Sequence, residues 1–385
     1  MSRSFTSLYA YTFFGGFMPI YALFTLFILD HGMSAGELSI LLAAWSITGF
    51  VLEVPSGALA DRTSRKRILA ISQALNASAF ALWAVMPTFY GVLIGFILWG
   101  AKSAFTSGTY EAYVYDELKA LDREADYSTV YGRLQACRAV AALLAAVSAA
   151  PLSTFGYEAV IWCSVGASTL SMLAAFRMPE APRMIGSGKN DRYLDILRDS
   201  VGTFVKDRRL FVIALALASA STFASMTGDL GPIIGRLSGL PQFGIGLFVA
   251  LGYAMIALAG MTAPRIAFAF GASYDRLFPV AAVVFTIAAV TMRLPALVLV
   301  CIWIYALSVL MQLYNNELQQ RTASDVRATV SSMVGLAGTV LQVTLTLAVG
   351  AIAGVWSYQT ACISLGIIAC VLGLIVVLLR KNIRA

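Results

Sequence analysis

The sequence predicts an all-α membrane protein of twelve transmembrane helices, arranged as two pseudo-symmetric six-helix bundles around a central cavity. Three observations lead there. Of the 385 residues, 59% are hydrophobic and 12% charged, with a mean hydropathy of +0.80, whereas an ordinary soluble domain carries roughly 25% charge. Apolar runs long enough to cross a bilayer as helices, about 17 to 25 residues each, recur from end to end. Finally, the cations gather between those runs on alternate gaps, the bias that marks cytoplasmic loops.

Taken in order, the runs lie near residues 5–29, 38–60, 67–87, 89–115, 130–151, 157–177, 209–231, 243–268, 277–293, 296–318, 328–351 and 357–379. An even number of crossings puts both termini on one side. With that side cytoplasmic, 24 of the 27 lysines and arginines fall there, while Arg236 and Arg293 fall opposite and Lys102 lies within a span. No cleavable leader precedes the first run. The net charge of +7 is spread over loops rather than gathered in a polar domain, so no nucleic-acid partner is expected. Cys137, Cys163, Cys301, Cys362 and Cys370 are odd in number, lie in apolar runs and form no C-x-x-C pair, and His31 stands alone. They predict buried thiols rather than disulfides or a metal site. No cofactor is expected, and no P-loop is present to use ATP directly.

The one long polar interval divides the chain into a first bundle (1–178), a linker (179–208) and a second bundle (209–385). Pro179, Pro182 and Gly186-Ser187-Gly188 break the chain there. Beyond them Leu194, Leu197, Val201 and Phe204 recur at helical spacing, predicting an amphipathic helix on the inner membrane surface. The bundles share landmarks. Asp30-His31-Gly32 and Asp229-Leu230-Gly231 are offset by 199, and Asp116-Glu117-Leu118 and Asn316-Glu317-Leu318 by 200. This pattern places Asp30 and Asp229 at matching outer helix ends.

Between runs two and three lies Gly57-Ala-Leu-Ala-Asp-Arg-Thr-Ser-Arg-Lys-Arg67, which reads as a short charged turn. It resembles motif A of the major facilitator superfamily (MFS) in Gly57, Leu59, Ala60, Asp61, Arg62, Arg65 and Lys66. Ser64 replaces the usual glycine, which predicts a less tight turn. Glu53-Val-Pro-Ser-Gly57, Ser107–Asp116 and Tyr131-Gly-Arg133 resemble a bacterial exporter subgroup, and that implies a bacterial inner-membrane location. The resemblance further implies that Asp61 meets the start of helix 11, near Asp325 to Ser331, to close the cytoplasmic side. Three features depart from the family. No arginine accompanies Ile97–Gly100, where Lys102 is the nearest cation; Ala149-Ala150-Pro151 lacks the antiporter glycines; and the second motif A, sought around Gly260 to Arg265, has no acid after its glycine.

Ionisable groups in hydrocarbon are functional candidates by default, since each costs on the order of 3 kcal/mol to insert. Glu53, Lys102 and Glu111 are therefore the proton-coupling or cavity candidates, with Glu53 first; Lys102 would face water or pair with Glu53 or Glu111. Asp116, Arg133 and Arg138, with Glu117, form a predicted inner charge network. Tyr9, Phe13, Phe17 and Tyr21 repeat every four residues on run one. Tyr21, Tyr305, Gln312 and Asn315, with Ser221, Thr222 and Ser225, could line the cavity or join helices by hydrogen bonds. Pro19, Pro55 and Pro232 predict bends.

The expected function is a monomeric secondary transporter in the lipid bilayer, exporting a drug-like or metabolite solute in exchange for protons. Proton-coupled uptake of a small anionic or zwitterionic solute is the rival, favoured by Lys102, and a non-transporting sensor or scaffold is the alternative of another class. No convergent nucleophile or metal set supports an enzyme. Asp61→Asn should weaken the cytoplasmic latch and raise the labelling rate of cysteines introduced on that side; an unchanged rate would count against the latch.

Overall fold

The computed structural model describes residues 3–179, 208–322 and 327–384, apart from the side chains of Arg3, Ser4, Asp61, Ala272, 327–329, Ile383 and Arg384. Among the described residues there is no strand, and twelve helical spans are long and apolar enough to cross a membrane. Numbered 1 to 12, they run Phe5–Asp30, Ala35–Ala60, Arg65–Val85, Phe89–Lys119, Glu124–Phe155, Tyr157–Arg177, Arg208–Leu237, Gln242–Phe270, Ser273–Thr291, Ala296–Arg321, Val330–Val355 and Tyr358–Asn382. Large apolar side chains such as Val85, Phe155, Phe268 and Val280 are exposed, as a surface solvated by lipid tails requires. The amphipathic helix expected over 192–204, and the side chains at the start of span 11 that Asp61 was to meet, lie outside the described residues.

The described residues group into two compact units, one within Met1–Met33 and Ile40–Lys189, the other within Ser34–Ser39 and Asn190–Ala385. In the first unit, Trp83 is fully buried and stacks on Phe96 at 5.0 Å between ring centroids. Trp99 stacks on Tyr21 at 5.1 Å and donates its indole N–H to the Tyr21 hydroxyl at 3.0 Å. In the second unit, Trp303 stacks on Phe285 at 5.3 Å and donates to Thr227 Oγ1 at 2.9 Å. The Trp99 and Trp303 indoles thus satisfy their one donor within apolar layers.

Span boundaries correct four expectations. Span 1 is not one helix: Arg3–Gly16 gives way to a 3-10 turn, Pro19–Ala22, before Phe24–Asp30 resumes. Pro19 opens that turn, where its missing N–H costs nothing, so the four-residue aromatic stripe does not continue to Tyr21 as one helical face. Span 4 is also interrupted, with helices Phe89–Thr106 and Thr109–Lys119 meeting at Ser107-Gly108. Gly108 takes a φ of +68°, a left-handed value that glycine adopts without strain. Span 4 therefore runs on past the expected end, and Asp116 and Glu117 belong to its second helix.

Span 7 does not end at Gly231. Its helix continues through Pro232 to Leu237, burying Leu230, Ile233 and Ile234, and that burial offsets the roughly 3 kcal/mol cost of an interior proline. Asp229 consequently lies eight residues inside the helix, about 12 Å along its axis, while Asp30 is the last residue of its helix and accepts from Tyr157 at 2.5 Å. Span 8 likewise continues through Arg265 to Phe270, so the second charged turn is Gly271–Arg276.

Close helix approach depends on small residues. A Cβ placed at Gly95 would lie 2.1 Å from Trp83 Nε1, whereas one at Gly132 would meet no atom within 4 Å. Gly95→Ala should lose about 1–3 kcal/mol through overpacking and melt at a lower temperature by circular dichroism. Gly132→Ala, mid-helix and unopposed, should melt at or above wild type; equal melting of the two variants would contradict this packing.

Candidate functional site

The site is built from the interrupted helices of the first unit, beginning at the charged turn. Most of Gly57–Arg67 is helical: one helix runs Ala35–Arg62, the next starts at Arg65, and only Thr63 and Ser64 intervene. Ser64 has a φ of −63°, and its hydroxyl accepts from the Arg67 amide at 3.3 Å. The serine is a helix cap, not the slack turn that its replacement of glycine suggested. Arg65 pairs with Asp116 and donates to the Ala112 carbonyl at 3.0 Å. Lys66 donates to the Met178 carbonyl at 3.0 Å, just past span 6, where a cation offsets the negative helix end. Arg62 is exposed, and a methyl group at Gly57 would meet nothing within 4 Å. The Asp61 side chain lies outside the described residues.

Farther into the unit, polar groups converge on Arg138 of span 5. Gly16 lets the chains approach, its virtual Cβ lying 3.1 Å from the Arg138 carbonyl oxygen and 3.2 Å from Arg138 Cγ. The guanidinium stands over the Tyr110 ring at 5.1 Å. Thr12 donates to the Leu8 carbonyl at 2.9 Å, so the 2.6 Å contact between Thr12 Oγ1 and the Tyr110 hydroxyl has tyrosine as donor. Tyr11 stacks on Tyr110 at 5.9 Å and accepts from Gln73 at 3.4 Å. Glu111 joins from the first turn of Thr109–Lys119, a favourable place for a carboxylate. Its Oε1 accepts from Tyr131 at 2.9 Å, whereas its Oε2 is buried without a hydrogen-bond partner.

Lys102 stands on the other side of the Gly108 break, and Arg138 is the charge that acts on it. Neither cation makes a side-chain hydrogen bond or ion pair with a described residue, which corrects the expected pairing of Lys102 with Glu53 or Glu111. The predicted inner network is divided: Asp116 goes to Arg65, Arg138 to the tyrosines, and Arg133 is exposed. Glu53 is exposed as well; its backbone carbonyl accepts from Ser56 at 2.9 Å, and its side chain has no hydrogen-bond partner among the described residues.

In the second unit, the Tyr305 hydroxyl donates to Thr262 Oγ1 at 2.7 Å, since Thr262 itself donates to Leu258. Gln312 is half-buried near Gly260, and Asn315 is exposed. Thr222 donates to the Gly338 carbonyl at 3.2 Å and Ser225 accepts from Gln342 at 3.0 Å, joining spans 7 and 11. Asp229 has no hydrogen-bond or ion-pair partner among the described residues, and Tyr253 lies within its electrostatic reach.

Sequence reasoning missed one network. Arg380 of span 12 pairs with Asp275 at 3.0 Å and Glu317 at 2.5 Å, under the rings of Tyr274 and Tyr314. Tyr274 also donates to Glu317, and Arg321 pairs with it at 3.0 Å. A signal existed: Asp275-Arg276 repeats Asp61-Arg62 at an offset of 214. The expected offset of about 200 misses it because span 7 runs on past Gly231 to Leu237 and span 8 has 29 residues where span 2 has 26.

A family model described as Major Facilitator Superfamily matches residues 4–345. An uncharacterized MFS-type transporter of Mycobacterium tuberculosis is 28% identical over 166 residues, which is 43% of this chain but only 38% of that relative's length. Among solved structures, the nucleoside transporter NupG superposes with a TM-score of 0.78 over 99% of this chain and 100% of its own, at 15% identity. A D-xylose-proton symporter superposes with a TM-score of 0.66 over 95% and 97%, at 14% identity. At such identities the likeness shows the fold.

The Arg380 network is testable without any solute. Arg380→Met removes the cation shared by Asp275 and Glu317 and should cost about 3–5 kcal/mol, seen as a lower melting temperature in detergent. Adding Asp275→Asn should recover part of the loss; if both variants melt with wild type, the network contributes nothing.

Proposed function

The chain belongs to the major facilitator superfamily, and from that premise we propose that it is a secondary transporter that moves a small solute by alternating access, coupled to a proton on Glu111. The observation that carries the coupling is the state of Glu111: one oxygen held by Tyr131, the other buried with no partner, beside an interrupted helix. A carboxylate with a free buried oxygen changes its hydrogen-bonding balance on protonation, because the neutral acid can donate where the anion could not. Tyr127 and Tyr131 face it, and Arg138 acts on Tyr131. Discontinuous membrane helices are where transporters of several folds build their ion and solute sites. Glu53, exposed on span 2, lacks these features, so Glu111 replaces it as the first candidate.

Two directions of coupling have support. The segments Glu53–Gly57 and Ser107–Asp116 favour export in exchange for protons, by their resemblance to exporters. Lys102 and Arg138 favour uptake of an anionic or zwitterionic solute together with a proton. The protein would work as a multi-pass component of a bacterial inner membrane with both termini cytoplasmic, as a monomer. Motif A, with Asp61, would serve the closing of the cytoplasmic side.

The test is solute flux in proteoliposomes under an imposed pH gradient, comparing wild type, Glu111→Gln and Glu53→Gln. Gradient-driven flux should fall at least tenfold in Glu111→Gln and persist in Glu53→Gln, and the sign of the driving gradient assigns the direction. Gradient-driven flux that survives Glu111→Gln and disappears in Glu53→Gln would return the coupling role to span 2.

A further inference from the structure

Within the first unit, Lys102 and Arg138 are half-buried cations of membrane-spanning helices, and neither has a counter-charge among the described residues. Lys102 is half-buried, one turn before the end of the helix that stops at Thr106. Arg138 is the charge acting on it, and among the described residues no carboxylate pairs with it. Arg138 is likewise half-buried; its guanidinium carries five N–H donors and makes no hydrogen bond to a described residue, resting only on the Tyr110 ring. Three other cations of the spans do find partners: Arg380 has two carboxylates, Arg65 has Asp116, and Lys66 has a backbone carbonyl.

Two like charges left unpaired in one low-dielectric region repel each other and lose hydration. A sequence with no further use for them could replace either with an apolar residue at a gain in stability. One hydroxyl of the same cluster keeps its proton to donate: Tyr11 accepts from Gln73, while Tyr110 already donates to Thr12. A planar guanidinium suits the two oxygens of a carboxylate or phosphate, and an ammonium adds a point charge of the same sign.

We propose that Lys102 and Arg138 form a binding site for the anionic group of the solute, a carboxylate or phosphate, with the Tyr110 face holding Arg138 in place. This rests on the transporter reading but does not require that coupling runs through Glu111. Glu111 belongs to the same cluster through Tyr131 and stacks no charge on Lys102. With Glu111 ionised the three side chains sum to one positive charge, and with it protonated to two, so an anion and a proton bind with mutual benefit.

The experiment measures binding, not flux, so a failure of transport and a failure of this site are distinguishable. Purified protein is titrated with benzoate, phenyl phosphate and the neutral benzamide while its melting temperature is followed. Benzoate or phenyl phosphate should raise the melting temperature in a saturable way, and benzamide should not. Lys102→Met and Arg138→Gln should each weaken the anion at least tenfold, Lys102→Arg should retain it, and Arg133→Gln, an exposed arginine on the same helix, should bind as wild type. Without ligand, Lys102→Met should melt at or above wild type, because it removes an unpaired charge. Stabilisation by benzamide equal to that by benzoate would overturn the proposal, as would anion binding that survives both substitutions. So would a marked drop in ligand-free melting temperature for Lys102→Met, which would reveal a partner already holding the lysine. Stabilisation by phenyl phosphate alone or by benzoate alone assigns the anion as phosphate or carboxylate.

Discussion

A charge placed in hydrocarbon must find a partner, and the two units of this chain meet that requirement in opposite ways. In the second unit Arg380 is enclosed by Asp275 and Glu317 and covered by two tyrosine rings, so its charge is spent within the protein. In the first unit Arg138 rests on the Tyr110 ring face, and neither it nor Lys102 has a carboxylate partner among the described residues. The first arrangement stabilises a bundle. The second lowers its stability in exchange for a group that can receive something from outside, and such a compromise is commonest where a protein binds a ligand.

Backbone interruptions place those groups. The break at Ser107-Gly108 turns one long helix into two, which puts Lys102 near the end of the first and Glu111 in the first turn of the second. The break at Pro19–Ala22 and the bare surface of Gly16 bring span 1 against Arg138. The break at Pro19–Ala22 is packed inside the unit, where irregular backbone is tolerated at membrane depth, whereas Ser107 and Gly108 are exposed. Dynamics and function meet at the same points: a helix already broken can bend there with little further loss of hydrogen bonds.

Motif A contributes differently. Ser64 caps the third span, Arg65 reaches Asp116 on the fourth, and Lys66 closes the end of the sixth. These three side chains tie one end of the first unit together, so part of the motif is explained by packing within the unit alone. The Asp275-Arg276 pair occupies the corresponding turn of the second unit and commits its aspartate to Arg380. The two halves therefore use the same dipeptide, and in the second its carboxylate is locked within its own bundle.

What the sequence determined by itself was the membrane class, the number of spans and the residues in which to look for function. Those follow from the length and polarity of apolar runs, quantities that a bilayer fixes without reference to other helices. The charged turn was legible for the same reason, as was the importance of Lys102, Glu111 and Arg138, since ionisable groups stand out in an apolar background. Only tertiary structure decided who faces whom. Asp229 looked like a helix end until burial of Ile233 and Ile234 carried the helix through Pro232. The sequence left Lys102 either facing water or paired with Glu53 or Glu111 until no described carboxylate reached it, and nothing in the spacing tied Arg380 to Asp275 and Glu317. Partnership in a membrane protein depends on which helix faces pack together, and hydropathy, being nearly uniform around most of these helices, carries little record of it.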